Sequence, residues 1–297
     1  MSDPGPRKPL TARSRVAELL ERHGLRADKG FGQNFLVDEA ALRAIVDAAE
    51  LAPGDRVLEV GPGLGVLSHA LAERGAHVTS VELDRRLLPV LAETLADLER
   101  LPGAGSVEVV EGDAMRFDLA RLPQGAKLVA NLPYNVATAI VARALESGRF
   151  SRLVFLVQRE VADRLTAKPE EPAYGALSLL VARFGRARTV RLVPPGAFFP
   201  PPKVTSAVVR VDVDPAAEPD PELFALIHQG FAHRRKTCHK SLELAFDEPA
   251  LRGRWGDLLA RVGIDPGVRG ETLALGQVLS LLAAVRGTLA DSSDGRR

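Results

Sequence analysis

From Arg56 onward, short apolar runs alternate with segments of helical periodicity. The apolar runs are rich in Val and Leu, which is typical of strands buried on both faces of a sheet. Parallel strands need a crossover connection, usually a helix. The alternation therefore predicts an α/β fold, with helices on both faces of a mostly parallel sheet. The predicted strands are Arg56–Gly61, His77–Leu83, Val107–Gly112, Lys127–Ala130 and Leu153–Val157.

This alternation stops after a helical run from Tyr174 to Phe184. Two β-type runs, Thr189–Val193 and Thr205–Val213, follow with only a Pro-rich connection between them, so they are predicted to pair antiparallel as an edge hairpin. Beyond a Pro- and acid-rich stretch, the chain is helical in pattern. We therefore expect a basic N-terminal arm at residues 1–30, an α/β domain at 31–213 and a small all-α domain at 214–297.

Composition excludes several classes of protein. A hydrophobic fraction of 46% and a balance of 39 basic against 38 acidic residues argue against a disordered chain. No apolar run approaches the roughly 20 residues of a membrane helix, and the polar N-terminus shows no secretion signal, so we expect a cytoplasmic protein without a membrane partner. Cys238 is the single cysteine, and the six histidines lack metal-ligand spacing, so no metal site is expected.

Glycines follow the first predicted strand, in Glu59-Val60-Gly61-Pro62-Gly63-Leu64-Gly65. They allow a sharp turn and close approach of a ligand to a helix N-terminus. Glu82 ends the next strand, 21 positions after Gly61, where it can accept hydrogen bonds from a ribose diol. The glycine spacing departs from the dinucleotide fingerprint and is more usual for S-adenosylmethionine. A structural turn without a ligand is the alternative.

Asp113 follows the third predicted strand and could accept the adenine amino group of such a cofactor. An Asp before a turn is equally typical of a cap on that turn, so both interpretations stay open for this residue alone.

The fourth strand runs into Asn131-Leu132-Pro133-Tyr134. The Asn131 side-chain oxygen and the Leu132 carbonyl can hold the two N–H groups of an exocyclic base amine and aim its lone pair at a methyl donor. Pro133 stiffens the turn, and Tyr134 offers a face on which a base can stack. A hydride-transfer enzyme has no use for this set. A plain turn followed by a buried Tyr is the alternative.

Together with these motifs, several others resemble, in order, those of the ribosomal RNA adenine dimethyltransferases. The matching segments are Lys29–Leu36, Glu59–Gly63, Val81–Asp84, Gly112–Ala114, Asn131–Asn135, Phe198–Val208 and Phe231–Thr237. The resemblance spans residues 29 to 285. It implies a Rossmann-like S-adenosylmethionine-dependent methyltransferase fold with a seven-stranded sheet, catalysis by residues 31–213 and RNA or ribosome recognition by residues 214–297.

The resemblance also implies residue roles. Asn34 and Leu36 would line the cofactor pocket with Gly61 and Gly63, where Gly61 contacts the methionine end. Glu82 would hold the ribose, Asp113 the adenine amine, and Asn131 would bridge cofactor and base. Phe198 would stack on the adenine opposite Tyr134, although Phe199 is the alternative alignment. Without the resemblance, a core Phe under a loop is the competing interpretation.

A helix is predicted from Leu223 to Phe246, with Phe231, Cys238 and Leu242 on its apolar stripe. No Asp or Glu lies between Glu222 and Glu243, so the segment is locally basic. This charge predicts phosphate contacts, although a solvated helix face is the common alternative. The candidate RNA-binding residues are Arg234, Arg235, Lys236 and Lys240.

The C-terminal motifs, including Gly263–Pro266 with Arg269 and Glu271, look like the small-subunit branch of the family. That branch transfers four methyl groups to two adjacent adenosines in the 3′-terminal hairpin of 16S rRNA in the small (30S) ribosomal subunit. The expected protein is a monomer that contributes to late subunit assembly. Three alternatives are a large-subunit resistance methylase, an assembly-checkpoint factor whose binding dominates, and an NAD dehydrogenase, which Asn131–Tyr134 contradicts.

Overall fold

The computed structural model describes residues 8–28, 30, 32–231 and 236–294. Two compact units divide these residues, one within Met1–Ala162 and Ala187–Pro215 and the other within Asp163–Arg186 and Ala216–Arg297. The chain passes from the first unit to the second for the last time between Pro215 and Ala216, which is close to the boundary expected between residues 213 and 214. Residues 163–186, however, belong to the second unit, whereas the sequence analysis assigned them to the α/β domain.

A seven-stranded sheet with the order β4-β3-β2-β5-β6-β9-β7 forms the centre of the first unit. Its strands are β2 (Arg56–Val60), β3 (His77–Glu82), β4 (Ser106–Glu111), β5 (Ala126–Asn131), β6 (Phe150–Gln158), β7 (Gly185–Val193) and β9 (Ser206–Val213). Strands β4, β3, β2, β5 and β6 run parallel to one another, and β9 is antiparallel to β6. The α/β class and the mostly parallel sheet with an antiparallel strand towards one edge are confirmed.

Two further strands, β1 (Phe35–Leu36) and β8 (Phe198–Phe199), form a separate antiparallel pair. Leu36 is paired with Phe198 and Phe35 with Phe199. The pair joins the N-terminal segment to the Pro-rich connection between β7 and β9.

The helices of the structure are α1 (Arg13–Arg22), α2 (Glu39–Ala49), α3 (Val66–Glu73), α4 (Leu88–Leu95), α5 (Ala137–Glu146), α6 (Arg159–Thr166), α7 (Ala176–Phe184), α8 (Pro221–Gly230), α9 (Cys238–Ala245), α10 (Trp255–Arg261) and α11 (Leu275–Asp294). In the part of the chain that the structure describes, none of them is long and apolar enough to cross a membrane.

Helix α2 is an element that the sequence analysis missed. Asp38 caps it by accepting a hydrogen bond from the backbone N–H of Ala41 at 2.7 Å. Ile45 and Ala49 are fully buried, and the helix packs on β5, β6 and β9. The signal was present in the sequence as a capping Asp followed by apolar residues at helical spacing.

The described part of the N-terminal arm is not a free basic extension. Val16 and Leu19 of α1 are buried in an apolar cluster of the first unit. Arg15 is also buried, and it pairs with Glu93 of α4, as does Arg22. Arg15 and Arg22 therefore help to hold α1 against α4 within the first unit.

The single helix predicted from Leu223 to Phe246 is wrong, because α8 ends at Gly230 and α9 begins at Cys238. A side chain in place of the hydrogen at Gly270 would lie 2.4 Å from the Gly230 carbonyl oxygen, so two backbones meet closely at this end of α8. Thr237 then caps α9 by accepting from the Lys240 N–H at 3.3 Å. Helices α7 to α11 pack around buried Leu and Trp side chains, and the described residues from 216 onward contain no strand.

Candidate active site

Four neighbouring strands, β4, β3, β2 and β5, carry their polar or glycine residues at one edge of the sheet. Because these strands are parallel, their carboxyl ends lie on the same side. Gly61 follows β2, Glu82 is the last residue of β3, Asp113 follows β4 and Asn131 is the last residue of β5. The topology therefore brings together residues that are up to 70 positions apart.

The glycine turn after β2 needs glycine for two physical reasons. Gly61 has a φ of +68° and Gly63 a φ of +60°, which L side chains rarely adopt. A Cβ at Gly63 would also lie 3.2 Å from the Phe35 ring. The turn leads directly into α3, so backbone N–H groups at the start of that helix face the same edge.

Glu82 is held rigidly at this edge. Its carboxylate accepts hydrogen bonds from the backbone N–H groups of Gly63, at 3.2 Å, and Asp84, at 2.8 Å. Burial raises the pKa of Glu82, although these backbone hydrogen bonds oppose the effect. A buried carboxylate with four lone-pair positions and two backbone donors can still accept from two neighbouring hydroxyl groups.

Asp113 is half-buried, and its carboxylate accepts from the backbone N–H of Met115 at 2.8 Å. One carboxylate oxygen of Asp113 therefore caps the turn, as one of the two interpretations expected. The residue also lines the cavity at the strand ends, so capping and ligand contact are compatible here.

The turn after β5 combines a polar wall with an aromatic side chain. The Asn131 amide nitrogen donates to the Asn34 carbonyl oxygen at 3.2 Å, which leaves the side-chain oxygen available as an acceptor. The Leu132 side chain is buried, so this residue can offer only its backbone. The Tyr134 hydroxyl and the Ser206 hydroxyl are 2.7 Å apart, and burial raises the pKa of Tyr134.

These residues line a cavity of about 1260 Å³, a volume that includes the part open to solvent. The sequence-predicted residues that line it are Asn34, Leu36, Gly61, Gly63, Glu82, Asp113, Asn131, Leu132, Pro133 and Tyr134.

Phe198 does not join this cavity. Its side chain is fully buried in the apolar core beside Leu36 and Val193. No face of the Phe198 ring is exposed in this structure, as the interpretation as a core Phe under a loop expects, and a stacking role for Phe198 stays a prediction. Phe199, the alternative alignment, is half-buried and packs on the cluster that contains Phe35.

The cavity is also lined by Leu83, Glu59 and Gln33, to which the sequence assigned no role. Leu83 is 57% exposed and offers an apolar wall next to Glu82. Glu59 is 1% exposed and accepts hydrogen bonds from the hydroxyls of Ser68, at 2.5 Å, and Ser80, at 2.7 Å. Burial raises the pKa of Glu59 to about 7. Gln33, like the other two, lies in one of the matching segments. Its contact with Asp84, 51 positions away, could not be predicted from the local sequence.

The predicted RNA-binding residues fall in the second unit. Lys236 and Lys240 are exposed, whereas Cys238 between them is buried. Arg234 and Arg235 lie outside the described residues. Within the ranges that the structure describes, no group of three or more His, Cys, Asp or Glu side chains could hold a metal ion.

Comparisons with known proteins agree with this geometry. A family model described as ribosomal RNA adenine dimethylase matches residues 24–279. Ribosomal RNA small subunit methyltransferase A of Deinococcus radiodurans is 44% identical over 279 residues, which cover 93% of this chain and 92% of that protein. The protein of the same name from Pelotomaculum thermopropionicum is 42% identical, with coverage of 90% and 94%.

Two solved structures share the fold over most of the chain. A dimethyladenosine transferase from Plasmodium falciparum matches with a TM-score of 0.69 at 25% identity, covering 86% of this chain and 98% of that one. The 23S rRNA methyltransferase ErmE matches with a TM-score of 0.59 at 28% identity, covering 85% of this chain and all of that one, at 100%.

Proposed function

The chain belongs to the ribosomal RNA adenine dimethylase family, and on this premise we propose that it dimethylates adenosines of small-subunit ribosomal RNA with S-adenosyl-L-methionine. The target proposed is the N6 amine of two adjacent adenosines in the 3′-terminal hairpin of 16S rRNA. One observation carries the proposal. A carboxylate suited to a ribose and a turn suited to an exocyclic amine line the same cavity, at the ends of β3 and β5, which lie on either side of β2.

The residues present fit the cofactor. Glu82 is a fixed, buried acceptor for the ribose diol, and Asp113 has a carboxylate oxygen for the adenine amine. Leu83 supplies apolar surface for the adenine ring. Gly61 lets the backbone approach the methionine end, while Asn34 and Leu36 wall the cavity from the N-terminal side.

The turn from Asn131 to Tyr134 holds the base amine. The Asn131 side-chain oxygen and the Leu132 carbonyl accept its two N–H bonds, which directs the nitrogen lone pair away from these acceptors. When bound, the cofactor supplies a methyl group on a positively charged sulfur. No side chain need act as a strong base, because the amine becomes acidic after transfer and releases its proton to water.

Tyr134 is proposed to stack on the target base. Its hydroxyl is tied to Ser206, so the ring is held in one orientation. A ring fixed in this way loses little rotamer freedom when a flipped-out base is stacked on it. Phe198 is buried, so the proposed stack relies on Tyr134.

Lys236 and Lys240 are proposed to contact RNA phosphates. Both are exposed on the acid-free stretch of the second unit. Arg234 and Arg235 share that stretch of sequence and are proposed for the same role. Each phosphate neutralised by such a side chain releases counterions, so these contacts make RNA binding salt-dependent.

The substrate can be tested with methyl-labelled S-adenosylmethionine and unmethylated small or large subunits, followed by mapping of the labelled base. We expect label in two adjacent adenosines of small-subunit RNA. Label confined to large-subunit RNA would refute the proposal and favour the large-subunit activity that the name of ErmE states for that protein.

The assignment of the base pocket can be tested separately with Tyr134→Ala. We expect methyl transfer to be lost while cofactor affinity stays close to that of the unmodified protein, because the ring serves the base and not the cofactor. A matched loss of both would show that the base pocket is misplaced. A variant of Asn131 that cannot transfer methyl groups but still binds immature subunits and slows growth would instead favour the checkpoint role.

A further inference from the structure

Gln33 stands where the N-terminal wall of the cavity meets the turn after β3. It lines the cavity together with its neighbours Gly32 and Asn34. Asn34 is the residue whose carbonyl oxygen accepts from the Asn131 amide at 3.2 Å. The placement of Gln33 therefore bears directly on the group that holds the target amine.

Both the oxygen and the nitrogen of the Gln33 side-chain amide form hydrogen bonds. Its amide oxygen accepts from the backbone N–H of Asp28 at 2.9 Å. Its amide nitrogen donates to Oδ2 of Asp84 at 2.9 Å. This second contact, which we call the Gln33–Asp84 link, joins two parts of the chain that are 51 positions apart.

Asp84 is the fixed end of this link. Its side chain is only 5% exposed, and it accepts hydrogen bonds from Nε and Nη2 of Arg86, both at 2.8 Å. Hydrogen bonding from Arg86 holds the pKa of Asp84 below its ordinary value, so the carboxylate is charged at neutral pH. A charged acceptor strengthens the hydrogen bond that Gln33 donates.

The same turn carries the ribose acceptor. The backbone N–H of Asp84 donates to Glu82 at 2.8 Å. Asp84 is thus bonded through its backbone to the residue proposed to hold the ribose, and through its side chain to the residue next to Asn34. Two hydrogen bonds therefore connect Gln33 to Glu82 through Asp84.

We propose that Gln33 and Asp84 are positioning residues, whose link keeps the ribose-binding turn at Glu82 in register with Asn131, the amine-holding residue whose amide nitrogen donates to Asn34. The link touches no reacting atom. Its role is to fix the distance between cofactor and base, on which methyl transfer depends steeply. This inference rests on the cofactor assignment made under the proposed function.

A donor–acceptor swap in the full-length protein tests the link. In Gln33→Glu a carboxylate replaces the donor and faces Asp84, so we expect cofactor affinity to fall by about tenfold or more and kcat at saturating cofactor to fall as well. Adding Asp84→Asn lets the amide introduced at position 84 donate to the carboxylate introduced at position 33, but its nitrogen can no longer accept from Nη2 of Arg86. The double variant keeps the net charge of the original pair, and we expect it to recover part of the lost affinity and rate.

The matched control is Gln124→Glu, because the exposed Gln124 also donates through its amide nitrogen, to the Gly148 carbonyl, and does not line the cavity. Calorimetric titration with S-adenosylmethionine gives the affinity, and single-turnover methylation gives the rate. If the swap variant does not fold by circular dichroism, Gln33→Met, which removes both hydrogen bonds at similar size, must weaken cofactor binding several-fold by itself.

Unchanged affinity and rate in Gln33→Glu or Gln33→Met would overturn the proposal, and so would a double variant no better than the single one. Failure of the unmodified protein to bind S-adenosylmethionine would be a different result, since it would remove the proposed function and not the link alone.

Discussion

Glu59 is a buried carboxyl group that methyl transfer does not use, and its titration should be visible in the stability of the protein. Its side chain lies among Ser68, Ser80 and Glu82, and burial raises its pKa from an ordinary 4.5 to about 7. The hydroxyls of Ser68 and Ser80 donate to it, but they do not offset the loss of hydration. The folded protein therefore favours the protonated carboxyl more than the unfolded chain does.

The sign and size of the effect follow from linkage. Below the unfolded pKa of 4.5 the group is protonated in both states and costs nothing, and the cost grows until the folded pKa of about 7. The interval between these pKa values corresponds to about 3 kcal/mol of unfolding free energy, lost as pH rises and constant above the upper pKa. In Glu59→Gln this loss is absent, because the amide is neutral and its oxygen can still accept from both serines.

Urea denaturation of the full-length protein and of Glu59→Gln at about pH 4.5 and about pH 8 measures the effect. We expect the stability of the variant relative to the unmodified protein to rise by about 3 kcal/mol between the two pH values. The matched control is Glu99→Gln, which makes the same substitution at an exposed site. A stability difference for Glu59→Gln that does not change with pH would refute the reasoning.

Three further predictions concern the base pocket, the RNA surface and the thiol. Ser206→Ala removes the hydroxyl partner of Tyr134, so kcat/KM for RNA should fall by about five- to tenfold while cofactor affinity, measured by calorimetry, stays constant. Lys236→Ala and Lys240→Ala should each lower the slope of log affinity for RNA against log salt by about one, and unchanged slopes would remove them from the RNA interface. Cys238 is buried and its pKa is raised to about 11, so Ellman's reagent should react with it at neutral pH only after denaturation.

The part of the site at the strand ends could be predicted from the sequence because it depends only on the order and direction of the strands. Gly61, Glu82, Asp113 and Asn131 each follow or end a strand, and parallel strands deliver their carboxyl ends to one edge whatever the details of packing. The position of Phe198 could not be predicted in the same way. Whether a Phe in a Pro-rich loop faces a cavity or the core depends on its partner across the β1–β8 pair, and Leu36 lies 162 positions earlier.

The break between α8 and α9 shows a second limit of local pattern. The apolar stripe through Cys238 and Leu242 is real, since both side chains are buried. Its continuation from α8 is interrupted because the backbone at Gly270 approaches Gly230, and the Val268 carbonyl accepts from the Cys238 N–H at 2.7 Å. The helical period of one segment carries no information about a backbone that lies 30 to 40 positions further along the chain, so these tertiary contacts override it.

Charge illustrates why neither the total nor the local count of basic residues identifies an RNA surface. Arg15 and Arg22 are occupied by Glu93, and Arg152 and Arg210 both pair with Asp212 in the first unit. A guanidinium committed to a carboxylate in this way would have to give up that partner before it could neutralise a phosphate, which costs about as much as the new contact returns. Hence Arg15 and Arg22 of the N-terminal segment serve packing within the first unit. The proposed RNA contacts rest instead on a stretch without acidic residues, between Glu222 and Glu243, in which Lys236 and Lys240 are exposed.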